Sequence, residues 1–311
     1  RSARWFGPLL RQTVWPLLNA GRLSPTLLRY AFLSDYAGVF LPPPRGTRVH
    51  RVRFDGYRGE LVNGPGVHGR TERAVLYFHG GGFIGCGLRT HRRMVARISG
   101  ASQAQLLNVA YRQLPAARLS QSVEDCLAGY RLLLELGYPG DKVVFGGDSA
   151  GGYLAFAVAL RAIAEGLPTP GGIIALSPWL DLECAHSLKH PNGPTDPYVP
   201  IARLAELAKL VADGRKSGGD PLESLLDTDL SALPPVLIQV GSVEVLRSDA
   251  ELMAGRLADA GVPIRLQIWE RQVHVFQAFA DLVPEGRAAL ADLGGFIRET
   301  TAAADRQSAA S

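Results

Sequence analysis

One short stretch near the middle of the chain constrains the fold more than any other. An apolar run at 143–145 leads into Gly147-x-Ser149-x-Gly151, and a helical pattern begins at Ala150. Small residues around a serine allow a strained turn between strand and helix, in which the hydroxyl is pushed into open space. We therefore predict a strand, a tight corner at Ser149 and a helix, with the serine presented as a nucleophile.

Short apolar runs alternate with helical periodicities along most of the chain. We predict strands at 74–78, 106–110, 143–145, 173–176, 236–240 and 264–268, and an antiparallel edge hairpin within 49–62. We predict helices at 91–100, 121–136, 150–165 and 248–260, and a helical pair within 273–299. Strands that are apolar on both faces indicate a mostly parallel sheet covered by helices on both sides. The ligand site of such a sheet lies beyond the carboxyl ends of its strands.

The order of these elements predicts one α/β core with two additions. We place the core at 46–184 and 229–300. The intervening segment 185–228 is too long for a simple crossover, so we interpret it as a cap insertion over the site. We interpret residues 1–45 as an N-terminal cap segment, and the small polar residues 301–311 as a flexible tail.

The N-terminal segment mixes arginines with large apolar residues such as Trp5, Phe6 and Trp15. Two interpretations of its short amphipathic helices remain open, namely a lid packed on the core or a contact with a lipid surface. Pro8 and Pro16 break the segment into pieces shorter than a typical interfacial helix, which favours the lid.

A glycine-rich loop follows the first central strand. In His79-Gly80-Gly81-Gly82, three consecutive glycines let the backbone present its N–H groups at close range. Such a loop is the usual partner of a strand–serine–helix corner, because its amides and that of the residue after the serine, here Ala150, can hold a developing oxyanion. A plain tight turn or a phosphate cradle are the alternatives.

A nucleophilic serine needs a base that takes its proton. His274 follows the last predicted strand in a loop that leads into a helix, which is where this topology returns a side chain to the corner. The other histidines lie at less suitable places, namely His50, His68, His79, His91, His186 and His190. We therefore predict His274 as the base.

The base needs an acid that fixes its tautomer, and the chain order Ser–acid–His places that acid between 149 and 274. Glu244 lies in the loop after the strand 236–240, and Asp249 follows five residues later, where a helix is expected. We predict Glu244 as the acid and retain Asp249 as the alternative. Either carboxylate also has a structural interpretation, since acids are favoured near a helix N-terminus.

Three further residues near these motifs have structural interpretations. The side chain of Asp148 should leave the corner on the side opposite Ser149, so we expect it to hydrogen-bond to the corner or to the glycine loop. Asp181 is expected to be structural. Cys86 follows the glycine loop, and we expect a buried, inert thiol rather than a residue that lines the pocket.

Composition excludes several functional classes. The net charge is +4, and no basic run is interleaved with stacking aromatics, which argues against nucleic-acid binding. The three cysteines are scattered along the sequence and match neither a disulfide framework nor the spacing of metal ligands, so we predict a reducing, cytoplasmic location. We also predict no metal and no cofactor, and we leave an association with the cell envelope open. The sequence contains no run of about 18 apolar residues, so we predict no helix that spans a membrane. The state of assembly, monomer or homodimer, stays open.

The chain also resembles a known family through several motifs. These motifs are His79-Gly80-Gly81-Gly82, Gly147-Asp148-Ser149-Ala150-Gly151-Gly152, Tyr111-Arg112-Gln113-Leu114-Pro115, Ser177-Pro178-Trp179 with Asp181, and Gly241-Ser242-Val243-Glu244 with His274. They resemble those of hormone-sensitive-lipase-like α/β-hydrolases, the bacterial family IV carboxylesterases, and especially the actinobacterial members. Many members carry an aspartate followed by proline at the acid position, whereas here Glu244 precedes Val245.

The resemblance implies an eight-stranded sheet and a cap built from the N-terminal segment and the insertion. It implies that Gly81, Gly82 and Ala150 supply the oxyanion N–H groups, and that the substrates are small esters with short to medium acyl chains. A lactone hydrolase, a deacetylase or an amidase would use the same residues, and a non-catalytic ligand-binding protein is a further alternative. Epoxide and haloalkane hydrolysis require a carboxylate where this chain has Ser149.

Overall fold

The computed structural model describes residues 3–20, 22–218 and 224–308. It contains an eight-stranded sheet with the order β1-β2-β4-β3-β5-β6-β7-β8. The strands are β1 Arg48–Arg53, β2 Arg58–Asn63, β3 Ala74–Phe78, β4 Gln105–Ala110, β5 Val143–Asp148, β6 Gly172–Leu176, β7 Val236–Gly241 and β8 Ile264–Trp269. β2 is antiparallel to both of its neighbours, and all the other pairs are parallel.

Helices precede the sheet and connect its strands. They are α1 Ala3–Thr13, α2 Trp15–Asn19, α3 Pro25–Tyr30, α4 Leu88–Ser102, α5 Leu119–Glu135, α6 Ala150–Ala164, α7 Ile201–Gly218, α8 Arg247–Asp259 and α9 Pro284–Ser308. Shorter 3₁₀ helices lie at Ala31–Phe40, Gly140–Lys142, Ser187–Lys189 and Phe276–Phe279.

The central strands are buried on both faces, as their unbroken apolar runs predict. Every residue of β3, β5, β6 and β7 is buried. One face of the sheet packs against α5, α6 and α8, and the other packs against α4 and α9. These two layers confirm the predicted α/β-hydrolase architecture, including the antiparallel hairpin β1–β2 at one edge.

The helices observed at the C-terminus differ from the predicted pair. Instead of two helices before residue 299, a 3₁₀ turn at Phe276–Phe279 is followed by the single long helix α9, which continues to Ser308. Thr301, where we expected a flexible tail to begin, is fully buried, and its hydroxyl accepts a hydrogen bond of 3.0 Å from Arg73 Nε. Helix α9 runs on to Ser308 and 309–311 lie outside the described residues, so the flexible tail stays a prediction.

Two segments outside the sheet pack near the carboxyl ends of the strands. Helix α7, in the insertion, reaches the glycine loop, because a Cβ atom on Gly82 would lie 2.9 Å from Leu207 Cδ1. The N-terminal segment meets α4, where the Asp35 carboxylate accepts hydrogen bonds from the amides of Arg89 and Thr90 at 2.8 and 2.9 Å. Residues 219–223 of the insertion lie outside the described residues.

Candidate active site

Ser149 lies at the corner between β5 and α6 with an unusual backbone. Its φ of 52° and ψ of −121° are strained for a residue with a side chain. The neighbours must be glycines: a Cβ atom on Gly151 would overlap the carbonyl oxygen of Phe78, and one on Gly147 would overlap that of Gly151. The corner is held by the Ser149 amide, which donates to Leu176 O at 2.9 Å.

Glu244 and His274 form a buried pair. The distance between His274 Nδ1 and Glu244 Oε2 is 2.7 Å, and both side chains are almost completely buried. The second oxygen, Oε1, accepts hydrogen bonds from the Gly241 amide at 2.6 Å and from Ser177 Oγ at 2.7 Å. A carboxylate only accepts hydrogen bonds, so this pairing places a proton on Nδ1 and leaves Nε2 of the neutral ring as an acceptor.

Two opposing effects set the pKa of His274. Burial disfavours the charged imidazolium and lowers the pKa, whereas the hydrogen bond and the negative charge of Glu244 raise it. The net effect is a raised pKa. Glu244 therefore favours the protonated ring that forms when His274 accepts a proton.

Neighbouring strands bring the three predicted residues to one edge of the sheet. Ser149, Glu244 and His274 follow the carboxyl ends of β5, β7 and β8, and β6 lies between β5 and β7. Ser177, directly after β6, connects the loops, since its hydroxyl accepts from Val275 N at 3.0 Å and donates to Glu244. The Ser149 hydroxyl, which is partly exposed, makes no hydrogen bond within the described part of the chain.

The glycine loop offers backbone donors next to this edge. Gly81 and Gly82 have φ values of 114° and 63°, in the region that favours glycine. Across the residues that the structure describes, neither amide donates a hydrogen bond. Ala150 is the first residue of α6, and amides in a first helical turn have no partner within the helix.

Asp148 fixes the glycine loop, as expected. Its Oδ1 accepts from the Gly80 amide at 3.2 Å and from Tyr77 OH at 2.9 Å, and His91 Nε2 lies 3.2 Å from Oδ2. Burial raises the pKa of Asp148, but the contacts with His91 and Tyr77 lower it by more. The net pKa is therefore lowered, which keeps the carboxyl ionised. A buried carboxylate thus anchors the first glycine of the loop.

His79 is not a competing base. Its ring stacks on Tyr111 at a centroid distance of 4.4 Å, and its Nδ1 lies 2.8 Å from Gly80 O. Burial lowers the pKa of His79 to about 4, which keeps the ring neutral. Its role is to pack the base of the glycine loop.

Asp249, the alternative acid, has a different position. Its carboxylate accepts hydrogen bonds from the amides of Leu180 and Asp181, each at 2.9 Å, and from Ser187 Oγ at 2.5 Å. Burial raises its pKa to about 6. Asp249 holds the loop after β6, and His274 contacts Glu244 instead.

Asp181 and Cys86 also have structural surroundings. Asp181 accepts hydrogen bonds from the amides of Glu183 and His186 at 3.1 and 3.2 Å. The Cys86 amide donates to Ser34 Oγ at 2.7 Å, and burial raises the pKa of its thiol to about 11. A thiol with this pKa is a poor nucleophile at neutral pH.

Two residues of the insertion that were not predicted from the sequence hold the loop that contains Glu244. Asn192 Nδ2 donates to the carbonyl oxygens of Ser242 and Glu244, both at 2.9 Å. The fully buried Asp196 accepts from Val245 N at 2.8 Å through Oδ2. Their only signal in the sequence is that each is a polar residue in a Pro-rich loop, which is typical of any turn.

No group of three or more His, Cys, Asp or Glu side chains in the described ranges is arranged to hold a metal ion. Among the described helices, none has both the length and the apolar character to cross a membrane. The arrangement suits a reaction in which a serine, a histidine and a carboxylate act with backbone amides.

Comparison with known proteins agrees with this geometry. Residues 75–278 match the model of a family described as having the alpha/beta hydrolase fold. The carboxylesterase/phospholipase LipF of Mycobacterium tuberculosis is 39% identical over 94% of this chain and 80% of its own length. The esterase LipU of the same organism is 38% identical over 93% of this chain and 99% of its own length.

Solved structures show the same relationship. The crystal structure of an esterase from the bacterial hormone-sensitive lipase family has a TM-score of 0.85 and 33% sequence identity, and the match covers 96% of this chain and 98% of that one. The motifs of the sequence thus predicted the family correctly. The chain belongs to the α/β-hydrolase family and, within it, to the hormone-sensitive-lipase-like esterases.

Proposed function

We propose that this protein is a serine carboxylester hydrolase in which Ser149, His274 and Glu244 form the catalytic triad. The observation that carries the proposal is the buried 2.7 Å contact between His274 and Glu244, at the same edge of the sheet as a serine in a strained corner that only glycine neighbours permit. Such strain is retained where a side chain must be presented for reaction.

The mechanism follows from the positions of these groups. Ser149 Oγ attacks the ester carbonyl while His274 Nε2 takes its proton, and Glu244 stabilises the imidazolium. When the C–O bond of the ester breaks, His274 returns that proton to the leaving alcohol. Water then attacks the acyl-enzyme with His274 again as base, which releases the carboxylic acid and restores the Ser149 hydroxyl.

The amides of Gly81, Gly82 and Ala150 are proposed to hold the negative oxygen of the tetrahedral intermediates. Support comes from the unpaired amides of the two glycines in the described structure and from the anchoring of Gly80 by Asp148. Donors held in place before the reaction stabilise the transition state without reorganising, and a single donor contributes about 100- to 1000-fold in turnover.

The proposed substrates are small esters with short to medium acyl chains. Leu207 of α7 lies against Gly82, and the ring of Tyr198 lies 6.0 Å from that of His274, so the insertion narrows the space above the triad. The N-terminal cap segment and the insertion would together form the lid. The relatives' names, carboxylesterase/phospholipase and esterase, support ester bonds as the target.

Covalent labelling tests the nucleophile. A fluorophosphonate should add to wild-type protein at Ser149, and the modified peptide should be identified by mass spectrometry. The Ser149→Ala variant should take up no label. Labelling that persists in Ser149→Ala, or a wild-type protein that does not react, would support a non-catalytic member of the fold.

Substrate profiling separates esters from the alternatives that share the machinery. We expect kcat/KM to be highest for p-nitrophenyl esters of short to medium chains, and lower for a lactone, an acetylated sugar and an anilide. A lactone or anilide that is hydrolysed faster than every simple ester would replace the proposal with a lactonase or an amidase.

We further propose a reducing, cytoplasmic location. All three cysteines are free, and Cys126 and Cys184 are buried without a disulfide partner, which suits a reducing environment. Protein purified without reductant and then denatured should titrate as three free thiols. A disulfide-linked pair in that titration would contradict the proposed location.

A further inference from the structure

The surface of the N-terminal segment is unusually apolar. Most of the large apolar side chains that are well exposed in the described ranges lie within residues 5–41, and Phe40 reaches 86% exposure. We call these residues the apolar rim: Trp5, Leu9, Leu18, Leu27, Tyr30, Phe32, Leu33, Tyr36, Val39, Phe40 and Leu41. A concentration of exposed apolar side chains in one segment indicates an interaction site in a folded protein.

The apolar rim lies in the most basic part of the chain. Residues 1–54 contain nine arginines and a single acid, Asp35, whereas residues 55–311 carry 24 basic and 28 acidic residues. Asp35 is buried and caps α4, so its charge does not face outward. Arg22 and Arg29 are exposed within the segment, and Arg89 covers the ring of Tyr36 at 4.5 Å.

Acidic groups of the elements packed beside the segment are already paired. Glu206 of α7 accepts hydrogen bonds from the Leu23 amide and from Arg203. Asp281 forms ion pairs with Arg93 and Arg97 of α4. The charge that remains around the apolar rim is therefore positive.

The segment surrounds the proposed catalytic site. Phe6 and Leu10 of α1 pack in the same buried cluster as Val273 and Phe276, the near neighbours of His274. The 3₁₀ helix Ala31–Phe40 contacts the residues that follow the glycine loop, since Ser34 Oγ accepts from the Cys86 amide.

A third contact joins the N-terminal segment to helix α7. Arg203 of α7 donates to the carbonyl oxygens of Leu18 and Ala20, which ties the region between α2 and α3 to the cap helix. The segment that carries the apolar rim thus contacts the loop of the base, helix α7 and the residues that follow the glycine loop. A surface that covers the rim would therefore lie close to the proposed site.

We propose that the apolar rim docks the protein on an anionic lipid surface, with the catalytic site facing that surface. Aromatic and aliphatic side chains would enter the headgroup region, and Arg22 and Arg29 would meet lipid phosphates. A second copy of the chain fits less well, because a two-fold contact places the same patch on both sides and would set arginines against arginines. The docking step does not depend on the hydrolytic reaction.

Vesicle binding of the full-length Ser149→Ala variant tests the proposal, because this variant leaves the lipids intact. The variant should sediment with vesicles of phosphatidylcholine and phosphatidylglycerol, bind weakly to phosphatidylcholine alone, and detach as salt is raised. Adding Phe32→Ser and Phe40→Ser should reduce partitioning about tenfold or more. Adding Arg22→Glu and Arg29→Glu should reduce it about 20-fold or more.

Matched controls exclude a general loss of apolar surface or charge. Leu136→Ser with Leu282→Ser removes two exposed apolar side chains elsewhere, and Lys189→Glu with Arg298→Glu makes the same change in charge. Both pairs should bind vesicles as the parent does, and circular dichroism should show every variant folded. Equal vesicle binding by the rim variants and their parent, or no binding to phosphatidylglycerol vesicles, would overturn the proposal.

The state of assembly gives a further decisive result. Sedimentation velocity without vesicles should show no species whose size depends on Phe32 and Phe40. A dimer that becomes a monomer in Phe32→Ser with Phe40→Ser would instead identify the apolar rim as a contact between copies of the chain, and would refute lipid docking.

Discussion

Glu244 makes contacts that join three loops at the scale of single residues. One oxygen binds His274, and the other accepts hydrogen bonds from Gly241 and Ser177. The hydrogen bonds to Oε1 keep the carboxylate in place, so Oε2 is held for the imidazole. These contacts accommodate the glutamate side chain in the buried loop.

We expect Glu244→Gln to lower kcat about 1000-fold or more, because an amide can present its NH₂ group to His274 and favour the wrong tautomer. The measurement is steady-state hydrolysis of p-nitrophenyl butyrate. Asp249→Asn is the matched comparison, since Asp249 is equally buried but binds the loop after β6.

Asp249→Asn should act on stability instead. Losing one accepting oxygen in a buried network costs about 1–3 kcal/mol of the free energy of unfolding, whereas kcat should change less than about tenfold. Denaturant unfolding of Asp249→Asn and Glu244→Gln measures the free energy of unfolding. If Asp249→Asn reduced kcat more than Glu244→Gln, the assignment of the acid would be reversed.

The raised pKa of His274 gives a prediction about pH. Protonated His274 cannot accept the Ser149 proton, so kcat/KM should fall as pH drops through the pKa of the free enzyme, with a midpoint above the ordinary histidine value of about 6.5. In Glu244→Gln the charge that raises the pKa is absent and burial remains, so the midpoint should move to lower pH. A midpoint that stays in place or rises would show that Glu244 does not set the pKa of His274.

The sequence predicted the residues whose chemistry follows from chain order. Ser149, Glu244 and His274 could be predicted as the triad because each follows a strand of a recognisable sheet. The role of Ser177 could not be predicted, since it depends on a hydrogen bond to a residue 67 positions away. Contacts between residues so far apart in the chain depend on how the loops pack in the fold, so no local sequence pattern predicts them.

At the scale of elements, the insertion holds the loop that contains Glu244. Asn192 and Asp196 bind the backbone between Ser242 and Val245, the stretch that contains Glu244. Burial raises the pKa of Asp196 to about 6, and its three backbone N–H partners lower it only in part. The position of the cap is therefore coupled to the position of the acid.

We expect Asp196→Asn to reduce kcat about 10- to 100-fold, because a misplacement of the order of 1 Å in a catalytic group can cost about 100-fold. An asparagine that keeps the contacts of Oδ1 would turn its NH₂ group towards the Val245 amide, where two donors repel. Kinetics with p-nitrophenyl butyrate measure the effect. Thr195→Ala is the control in the same loop, because the Thr195 hydroxyl contacts only Asn192 O at 3.3 Å.

Thr195→Ala should retain wild-type kcat. Both variants should also keep the wild-type far-ultraviolet circular dichroism, which separates a shift of the loop from unfolding. If Asp196→Asn were as active as Thr195→Ala, the insertion would cover the site without positioning Glu244.

The glycine loop provides a second prediction at this scale. Gly82→Ala should lower kcat about 100- to 1000-fold, because its φ of 63° strains a side chain and the new Cβ atom would lie 2.9 Å from Leu207 Cδ1. Gly56→Ala is the control: its φ is also positive, at 79°, but nothing lies within 4 Å of the added atom. Equal turnover of the two variants would remove Gly82 from the proposed oxyanion site.

Element boundaries were predictable only where local signals exist. The hairpin β1–β2 and the helices between strands could be predicted from the periodicity of apolar residues, which depends on residues close together in the sequence. The start of α4 depends on Asp35, which is more than 50 positions earlier in the chain. Helix α9 continues through Thr301 because Arg73 and Lys142 meet it from elsewhere in the fold.

At the scale of the whole molecule, the sheet and the caps differ in how far sequence determines them. Alternating apolar runs and helices admit few arrangements, so the eight-stranded sheet could be predicted. The paths of residues 5–41 and of the insertion could not, because short helices rich in proline pack wherever the core leaves room. We propose that these two segments decide which substrate reaches Ser149, and a lipid surface beside them would add a further level of selection.

The most direct test of the account is the turnover of p-nitrophenyl butyrate by wild type and by Ser149→Ala. Ser231→Ala serves as a control, since Ser231 is exposed on a loop before β7. We predict that Ser149→Ala loses about 10⁴-fold or more of kcat while remaining folded, and that Ser231→Ala retains wild-type kcat. Hydrolysis by Ser149→Ala at the wild-type rate would contradict the proposed serine mechanism.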